Sequence, residues 1–269
     1  MPLSEIRIND VFMNVGETIT PTITPEPANA TWVSASDFDW IHGNTNVFSI
    51  SSLGTITASN KGNINIILSS KTTANVSGSF KVNVYSGKVI FSIFSFDDSD
   101  SHSDFDSGHS FVGIYNDTSK DIEFFNKVIE KDERITLGTW SSENNERAGV
   151  WINQELYQAQ SISAYARRRS LSAEFDSQSA IDGMINKVKT YITENDSWSI
   201  TNNCSSFASG IWNFVTNDNL SAGTINTPRE LKKSIESRSS YQVNALMGTY
   251  IYTAYFNSAN NNFSVVSYD

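Results

Sequence analysis

Cys204 is the only cysteine in this chain of 269 residues, and it stands at the start of a predicted helix. Asn202 or Asn203 can cap that helix. Its apolar face follows at helical spacing with Phe207, Ala208, Ile211 and Val215. A thiol in a first helical turn ionises more readily, because the helix dipole and the free backbone N–H groups favour a thiolate. We therefore predict that Cys204 is a nucleophile and that N–H groups of the same turn can bind an oxyanion.

His109 opens a second segment that could do chemistry. The residues from His109 to Tyr115 are apolar enough for a central strand. A histidine at the end of a sheet can meet the N-terminus of a helix that packs on the sheet, and its imidazolium would lower the pKa of the thiol further. The sequence thus predicts a thiolate–imidazolium pair of Cys204 and His109, whereas His42 and His102 are expected in surface loops.

The composition limits the kinds of partner and cofactor. The formal charge of −10 at pH 7 argues against nucleic acid and anionic lipid surfaces as primary partners. A single cysteine excludes an intramolecular disulfide, and no paired Cys/His spacing predicts a zinc site. The acidic segment 97–106 lacks the glycine and the closing glutamate of an EF-hand calcium loop. Because thiol catalysis needs no cofactor, we predict none.

The same composition bears on where the protein acts. The chain is acidic, rich in Ser, Thr and Asn and poor in cysteine, which is typical of exported or surface proteins of bacteria. No apolar run has the length of a membrane span. Residues 1–6 have neither a charged leader nor an apolar signal core. We expect a secreted or cell-surface protein, whose export uses a leader missing from this sequence or a route without a cleaved leader.

Residues 4–86 alternate apolar and polar positions between turns and show no helical period. Short strands are expected at 6–8, 19–23, 47–50, 62–68 and 80–84, which indicates a β-sandwich. Ordered motifs accompany them: Val15-Gly16-Glu17-Thr18, residues 24–30, Trp32, residues 52–58 and a closing Val-x-Val strand. On these motifs residues 1–86 resemble the group 2 bacterial immunoglobulin-like domain. The resemblance implies an all-β spacer or adhesive module with a surface or wall partner.

From residue 87 to residue 269 the pattern is mixed and predicts an α+β domain. Strands are expected at 89–96, 109–115, 121–125 and 134–140. Helices are expected at 177–194, at 204–215 and from Thr227 onward, where Thr227, Pro228 and Glu230 form a helix start signal. The tail at 245–268 predicts a final hairpin.

Two motifs of this second domain resemble a known family. Gly-His-Ser-Phe-Val-Gly-Ile at 108–114, followed by Asn-Asn-Cys-Ser-Ser-Phe-Ala at 202–208, looks like the papain-like superfamily in its circularly permuted form. That group includes peptidoglycan hydrolases of the NlpC type and relatives of lecithin:retinol acyltransferase. Segments 137–140, 149–155 and 227–231 add to the resemblance, which covers roughly residues 88–238. It implies an antiparallel sheet packed on helices, with Cys204 as nucleophile and His109 as base.

The third polar residue, which orients the imidazole in this family, is not placed by a motif. Glu155, Thr139 and Glu123 are candidates. We prefer Glu155, because a carboxylate would stabilise the imidazolium.

Together these features predict an exported bacterial cysteine amidase or endopeptidase that cleaves peptide or amide bonds through an acyl-enzyme, with cell-wall peptidoglycan as substrate. Trp140 and Trp151 are predicted to line the substrate cleft, and the basic run 167–169 is expected in a solvated turn. Two alternatives stay open. One is a hydrolase or acyltransferase that uses the same pair on lipid or other acyl esters. The other is a non-catalytic surface adhesion or binding protein in which Cys204 is an inert thiol.

Overall fold

The computed structural model describes residues 1–30, 34–43, 46–97, 108–141, 147–160 and 167–267. The chain divides into two compact units, one of residues 1–87 and 117–120 and the other of residues 88–116 and 121–269. Trp32, His102 and all but the first residue of the acidic segment 97–106 lie outside the described residues. The described part is rich in β-strands that form several sheets, and its α-helices belong to the second unit.

The first unit is built from short strands. They are β1 (Glu5–Ile8), β2 (Val11–Asn14), β3 (Thr18–Ile19), β4 (Ile23–Glu26), β5 (Phe38–His42), β6 (Phe48–Ile50), β7 (Ile56–Ala58), β8 (Gly62–Ser70) and β9 (Ser77–Tyr85). They form three sheets, with the orders β2-β9-β8-β5, β3-β7-β6 and β1-β4. Alternate residues such as Phe80, Val82 and Val84 are buried in one shared core, as expected of strands with one face inward.

One predicted strand is wrong. The segment 19–23 is not continuous, because β3 pairs with β7 whereas β4 pairs with β1 in another sheet. Pro21 lies between β3 and β4. A proline has no N–H to contribute to a ladder, so it favours a break at this place.

The described part of the second unit contains longer strands and four α-helices. The strands are β10 (Lys88–Asp97), β11 (Gly108–Asp117), β12 (Ile122–Phe124), β13 (Lys127–Ile129), β14 (Arg134–Trp140), β15 (Gly149–Ile152), β16 (Arg169–Phe175), β17 (Gln242–Val243), β18 (Thr253–Asn257) and β19 (Asn262–Val266). The helices are α1 (Gln154–Gln158), α2 (Gln178–Glu194), α3 (Cys204–Thr216) and α4 (Pro228–Glu236). None of the described helices has the length and apolar character needed to cross a membrane.

Eight of these strands form one sheet in the order β17-β16-β10-β11-β14-β15-β18-β19, and β12 pairs with β13 in a separate hairpin. One face of the large sheet packs on α2, α3 and α4 through the main core of this unit. The other face carries a smaller cluster, with Phe94 and Phe111 from the sheet, Leu156 from α1 and Met247 from the segment before β18. The sheet therefore separates a three-helix side from an α1 side.

Candidate active site

Cys204 begins α3, and Asn203 caps the helix in front of it. The Asn203 Oδ1 atom accepts hydrogen bonds from the N–H groups of Ser205 (3.0 Å) and Ser206 (3.3 Å). Its Nδ2 atom donates to the carbonyl oxygens of Ile200 (3.1 Å) and Asn226 (2.7 Å), so that one side chain ties two loops to the helix N-terminus. The helix start and its cap are confirmed as predicted from the sequence.

The first residues of β11 meet this helix N-terminus. Gly108 has a φ of +142°, and a Cβ atom there would collide with the Phe96 carbonyl oxygen and lie 3.0 Å from Pro228 Cβ. Glycine at this position thus allows β11 to start in tight contact with its neighbours. His109 follows, close enough to Cys204 for the two side chains to shift each other's pKa. The backbone N–H of Ser110 also helps to lower the pKa of Cys204.

Glu155 lies on the other side of the His109 ring. Its side chain is fully buried, and Oε1 lies 3.0 Å from His109 Nε2 and 2.9 Å from the indole Nε1 of Trp140. Its Oε2 atom accepts a hydrogen bond of 2.7 Å from Thr136 Oγ1. Because Nε2 of His109 donates to this carboxylate, Nδ1 is the ring nitrogen left for the Cys204 thiol.

A tight turn brings Glu155 into place. Asn153, just before α1, has a φ of +59°, in the left-handed region that asparagine tolerates better than most residues. Its backbone N–H donates to the Thr136 carbonyl oxygen (3.0 Å), and its Oδ1 atom accepts from the Thr136 N–H (2.9 Å). These two bonds fix the start of α1 against β14, so that Glu155 in the first turn of α1 points at His109.

Three alternate residues of β14 form the wall behind the carboxylate: Thr136, Gly138 and Trp140 share one face of the strand. Thr136 and Trp140 donate to Glu155, and Gly138 leaves the space that the carboxylate fills. The Trp140 ring lies 4.3 Å from the His109 ring, centroid to centroid, and is partly exposed. Sequence reasoning missed Thr136, although its period-two spacing from Trp140 was the signal that could have found it.

The charges of the pair support each other. Burial by itself lowers the pKa of His109, but the negative charge of Cys204 and the hydrogen bonds to Cys204 and Glu155 outweigh it and raise the pKa to about 9. Burial by itself raises the pKa of Cys204. The charge and hydrogen bond of His109, the Ser110 N–H and the Ser205 hydroxyl outweigh it and hold the pKa of the thiol below its usual value. Each charged form therefore stabilises the other, which favours the thiolate–imidazolium pair over its neutral form.

The other candidates for the orienting residue do not contact His109. The Thr139 hydroxyl is buried on the opposite face of β14 and has no hydrogen-bond partner among the described residues. Glu123 lies in the separate β12–β13 hairpin, where it is exposed and pairs with Val128. Of the three residues proposed from the sequence, Glu155 is the one that the structure brings to the imidazole.

The two tryptophans predicted to line the substrate cleft differ in exposure. Trp140 is partly exposed beside His109, whereas Trp151 is 2% exposed and packs on the Tyr255 ring at a centroid distance of 5.7 Å. The Trp151 indole Nε1 donates to the Arg147 carbonyl oxygen (3.2 Å). A side chain with so little accessible surface has a packing role, so Trp140 is the tryptophan left for substrate contact.

The basic run 167–169 is not a solvated turn, because Arg169 begins β16 and Arg168 binds the backbone. Arg168 Nε donates to the Ala245 carbonyl oxygen (2.6 Å), and its Nη2 atom donates to that of Asn244 (3.1 Å). These bonds attach the segment before β18 to the sheet. In the described part of the chain, no group of three or more His, Cys, Asp or Glu side chains is arranged to hold a metal ion.

Comparisons with known proteins add little to this geometry. No model of a known protein family matches the chain, and no curated protein matches it. Among solved structures, domains 5–6 of the S-layer protein SbsC align with 17% identity and a TM-score of 0.26, over 52% of this chain and 71% of the SbsC chain. A similarity this low bears on neither fold nor function.

Proposed function

We propose that this protein is a cysteine amidase or endopeptidase that cleaves a peptide or amide bond through an acyl-enzyme on Cys204. One observation carries the proposal: the His109 ring is held between the Cys204 thiol at a helix N-terminus and the buried Glu155 carboxylate, 3.0 Å from Nε2. A nucleophile, a base and a group that orients the base are the parts that this chemistry needs.

In the first half of the reaction, the Cys204 thiolate attacks the carbonyl carbon and forms a C–S bond, while the carbonyl π electrons move to the oxygen. The backbone N–H of Cys204 stabilises that oxyanion, because the next two N–H groups of α3 donate to Asn203 Oδ1. The tetrahedral intermediate collapses to a thioester as the C–N bond breaks. The leaving amine takes its proton from His109 Nδ1, which leaves the imidazole neutral.

Water completes the cycle. His109 Nδ1 removes a proton from the water, whose oxygen attacks the thioester carbonyl carbon. The C–S bond then breaks, the carboxylic acid product leaves and the thiolate is restored beside the imidazolium. Glu155 keeps its hydrogen bond to Nε2 throughout, so that Nδ1 always faces the reacting atoms. Trp140, next to His109 and partly exposed, lines the wall that receives the substrate.

The substrate class and the location rest on the resemblances in the sequence. We infer that residues 1–86 form a group 2 bacterial immunoglobulin-like sandwich and residues 87–269 a permuted papain-like domain. Surface modules of the first kind, joined to hydrolases of the second kind, suit a secreted or cell-surface enzyme that acts on wall peptides. The charge of −10 favours a substrate that is not strongly anionic.

The test is the release of new amines and new carboxylates from purified sacculi of several wall types. We expect release by the wild-type protein and none by Cys204→Ala or His109→Ala. His42→Ala is the matched control, because His42 belongs to the first unit and to none of the contacts described for Cys204, and it should release amines at the wild-type rate. Intact sacculi together with a thioester adduct on Cys204 after incubation with lipid or other acyl esters would replace the amidase proposal by the acyl-ester one. Intact sacculi with no adduct would leave the binding-protein alternative.

A further inference from the structure

A chain of buried serine hydroxyls runs from Cys204 to α4. Ser205 in α3, Ser110 in β11 and Ser95 in β10 are each 0% exposed. Ser205 Oγ lies 3.9 Å from Cys204 Sγ and 3.1 Å from Ser110 Oγ. Ser110 Oγ lies 2.8 Å from Ser95 Oγ, which donates to the Pro228 carbonyl oxygen at 2.7 Å. Four links therefore join the sulfur to a backbone carbonyl.

The carbonyl at the far end fixes the direction of the donors. A carbonyl oxygen only accepts, so the single Ser95 proton points to Pro228. Ser95 Oγ then accepts from Ser110, whose own proton is thereby used. Ser110 Oγ is left as an acceptor that faces Ser205. The proton of Ser205 therefore has two acceptors, Ser110 Oγ and the sulfur of Cys204.

When Cys204 is a thiolate, the row of serine hydroxyls has one proton too few for its hydrogen bonds. The sulfur has no proton to give, so three hydroxyl protons must serve four links. The two hydrogen bonds nearest Pro228 are the shortest, at 2.7 and 2.8 Å, so their protons stay in place. Ser205 is therefore the residue whose one proton must serve two acceptors. The Ser205 hydroxyl stabilises the thiolate less when its proton is shared with Ser110 Oγ than it would if the sulfur were its one acceptor.

We propose that Ser205 and Ser110 are positioning residues with opposite effects on the Cys204 thiolate: Ser205 donates a hydrogen bond to it, and Ser110 draws that donor away. The proposal rests on the proposed function only in that the thiolate of Cys204 is the reactive form. The Ser110 N–H, which also lowers the pKa of Cys204, belongs to the backbone and persists when the Ser110 side chain is changed.

The charged groups around the thiol are separate from the row of serine hydroxyls. Among the described residues, His109 on β11 is the charged group in contact with Cys204, and Glu155 on α1 lies behind it. Asp97 at the end of β10 lies against Gly108 and pairs with Lys232 of α4 at 2.5 Å. Replacing a serine hydroxyl leaves all of these charges in place, so its effect on the thiol is a hydrogen-bond effect.

The experiment is the rate of Cys204 alkylation by iodoacetamide against pH, followed by intact mass in wild type and serine variants. A single cysteine gives a single adduct, and no substrate is needed. We expect Ser205→Ala to raise the pH midpoint by about half a unit and Ser110→Ala to lower it by a similar amount. The double variant should match Ser205→Ala, because Ser110 acts only through Ser205. Ser205→Thr, which keeps a hydroxyl, should restore the wild-type midpoint.

Ser209→Ala is the matched control, because Ser209 is a buried serine of the same helix whose hydroxyl binds the Ser205 carbonyl oxygen rather than the chain. Its midpoint should not move. If Ser205→Ala fails to fold, Ser95→Ala replaces it and should lower the midpoint, because Ser110 is then free to donate to Ser205. Shifts of the same sign in Ser205→Ala and Ser110→Ala, or no shift in either, would overturn the proposal. Sacculi that stay intact while the shifts appear would count against the wall substrate and leave the serine chain standing.

Discussion

Glu155 fills the space that a side chain on Gly138 would occupy. A Cβ atom at Gly138 would collide with Glu155 Oε1 and come within 3.1 Å of His109 Nε2. Gly138 lies in β14, whereas the carboxylate comes from α1. The strand must therefore lack a side chain at this one position for the carboxylate to reach the imidazole.

Gly138→Ala should misplace the carboxylate while leaving most of the fold intact. A displacement near 1 Å in the group that orients a base costs on the order of 100-fold in rate, and we expect that loss in kcat/KM. The measurement compares substrate turnover with thermal unfolding in the same preparation.

Gly183→Ala is the matched control, because a Cβ there meets open space on α2. It should keep full activity and gain about 0.5–1 kcal/mol in the free energy of unfolding. Full activity in Gly138→Ala would show that the Glu155 contact is not needed.

The sequence is sufficient to place the proposed nucleophile, Cys204, and the proposed base, His109, because the signals for α3 and β11 are local. Helix capping is local, so Asn203 in front of Cys204 is sufficient to predict where α3 begins. The long apolar run after His109 is likewise a local signal for β11. Both side chains sit at element ends, and the packing of α3 on the sheet brings those ends together.

The proposed orienting residue, Glu155, could not be placed in the same way. Helix α1 has only five residues, too few for a helical period, and it follows a left-handed Asn153 that sequence patterns do not specify. Thr139 and Glu123 carry polar groups of suitable kinds, and only the tertiary fold places Thr139 on the wrong face and Glu123 in another hairpin. The strand β16 was missed because Arg169, its first residue, pairs with the Glu236 carboxylate, and Arg168 in front of it binds backbone carbonyl oxygens.

Glu155→Gln should move the alkaline limb of the rate profile to lower pH. In the proposed mechanism the imidazolium is the acid that protonates the leaving group, and the pKa of His109 is raised to about 9 partly by the Glu155 charge. An amide can still accept the Nε2 proton but carries no charge, so the pKa falls and the acid form is lost earlier. Glu123→Gln, which removes an exposed carboxylate in a distant hairpin, should leave the limb near 9. Equal profiles for Glu155→Gln and wild type would contradict an orienting carboxylate at this position.

The same substitution should change how stability depends on pH. Because the pKa of His109 is raised in the folded state, its charge stabilises the fold fully below the unfolded pKa of about 6.5. That contribution is lost as the pH rises through about 9. The stability deficit of Glu155→Gln should therefore shrink as the pH rises from 6.5 to 9. Chemical unfolding at several pH values measures it, and a deficit that grows over this range would contradict the charge assignment.

Cys204→Ala should lower the pKa of His109 well below 9. The charge and hydrogen bond of Cys204 are the largest influences that raise it, and burial, which opposes them, remains after the substitution. Nitrogen NMR of the imidazole gives the value directly, with the resonance assigned by its loss in His109→Gln. His42→Gln gives the reference spectrum for a histidine in the first unit. A pKa that stays near 9 without the sulfur would mean that Glu155 alone charges His109.

Thr139→Val tests whether the two faces of β14 have different roles, one in stability and the other in the site. Among the described residues the buried Thr139 hydroxyl has no hydrogen-bond partner. Replacing it by a methyl group of similar size therefore removes a desolvated polar atom and breaks no hydrogen bond. We expect the free energy of unfolding to rise by about 1 kcal/mol. Turnover and the pH midpoint of Cys204 alkylation should stay at the wild-type values, because the residues that hold Glu155 lie on the opposite face.

Thr136→Val is the paired test on that face. It removes the 2.7 Å hydrogen bond to Oε2 and should lower kcat/KM through the position of Glu155, even though it is the same chemical change on the same strand. Equal effects of the two substitutions on turnover would mean that β14 influences the site through its general stability and not through the face that carries Thr136, Gly138 and Trp140.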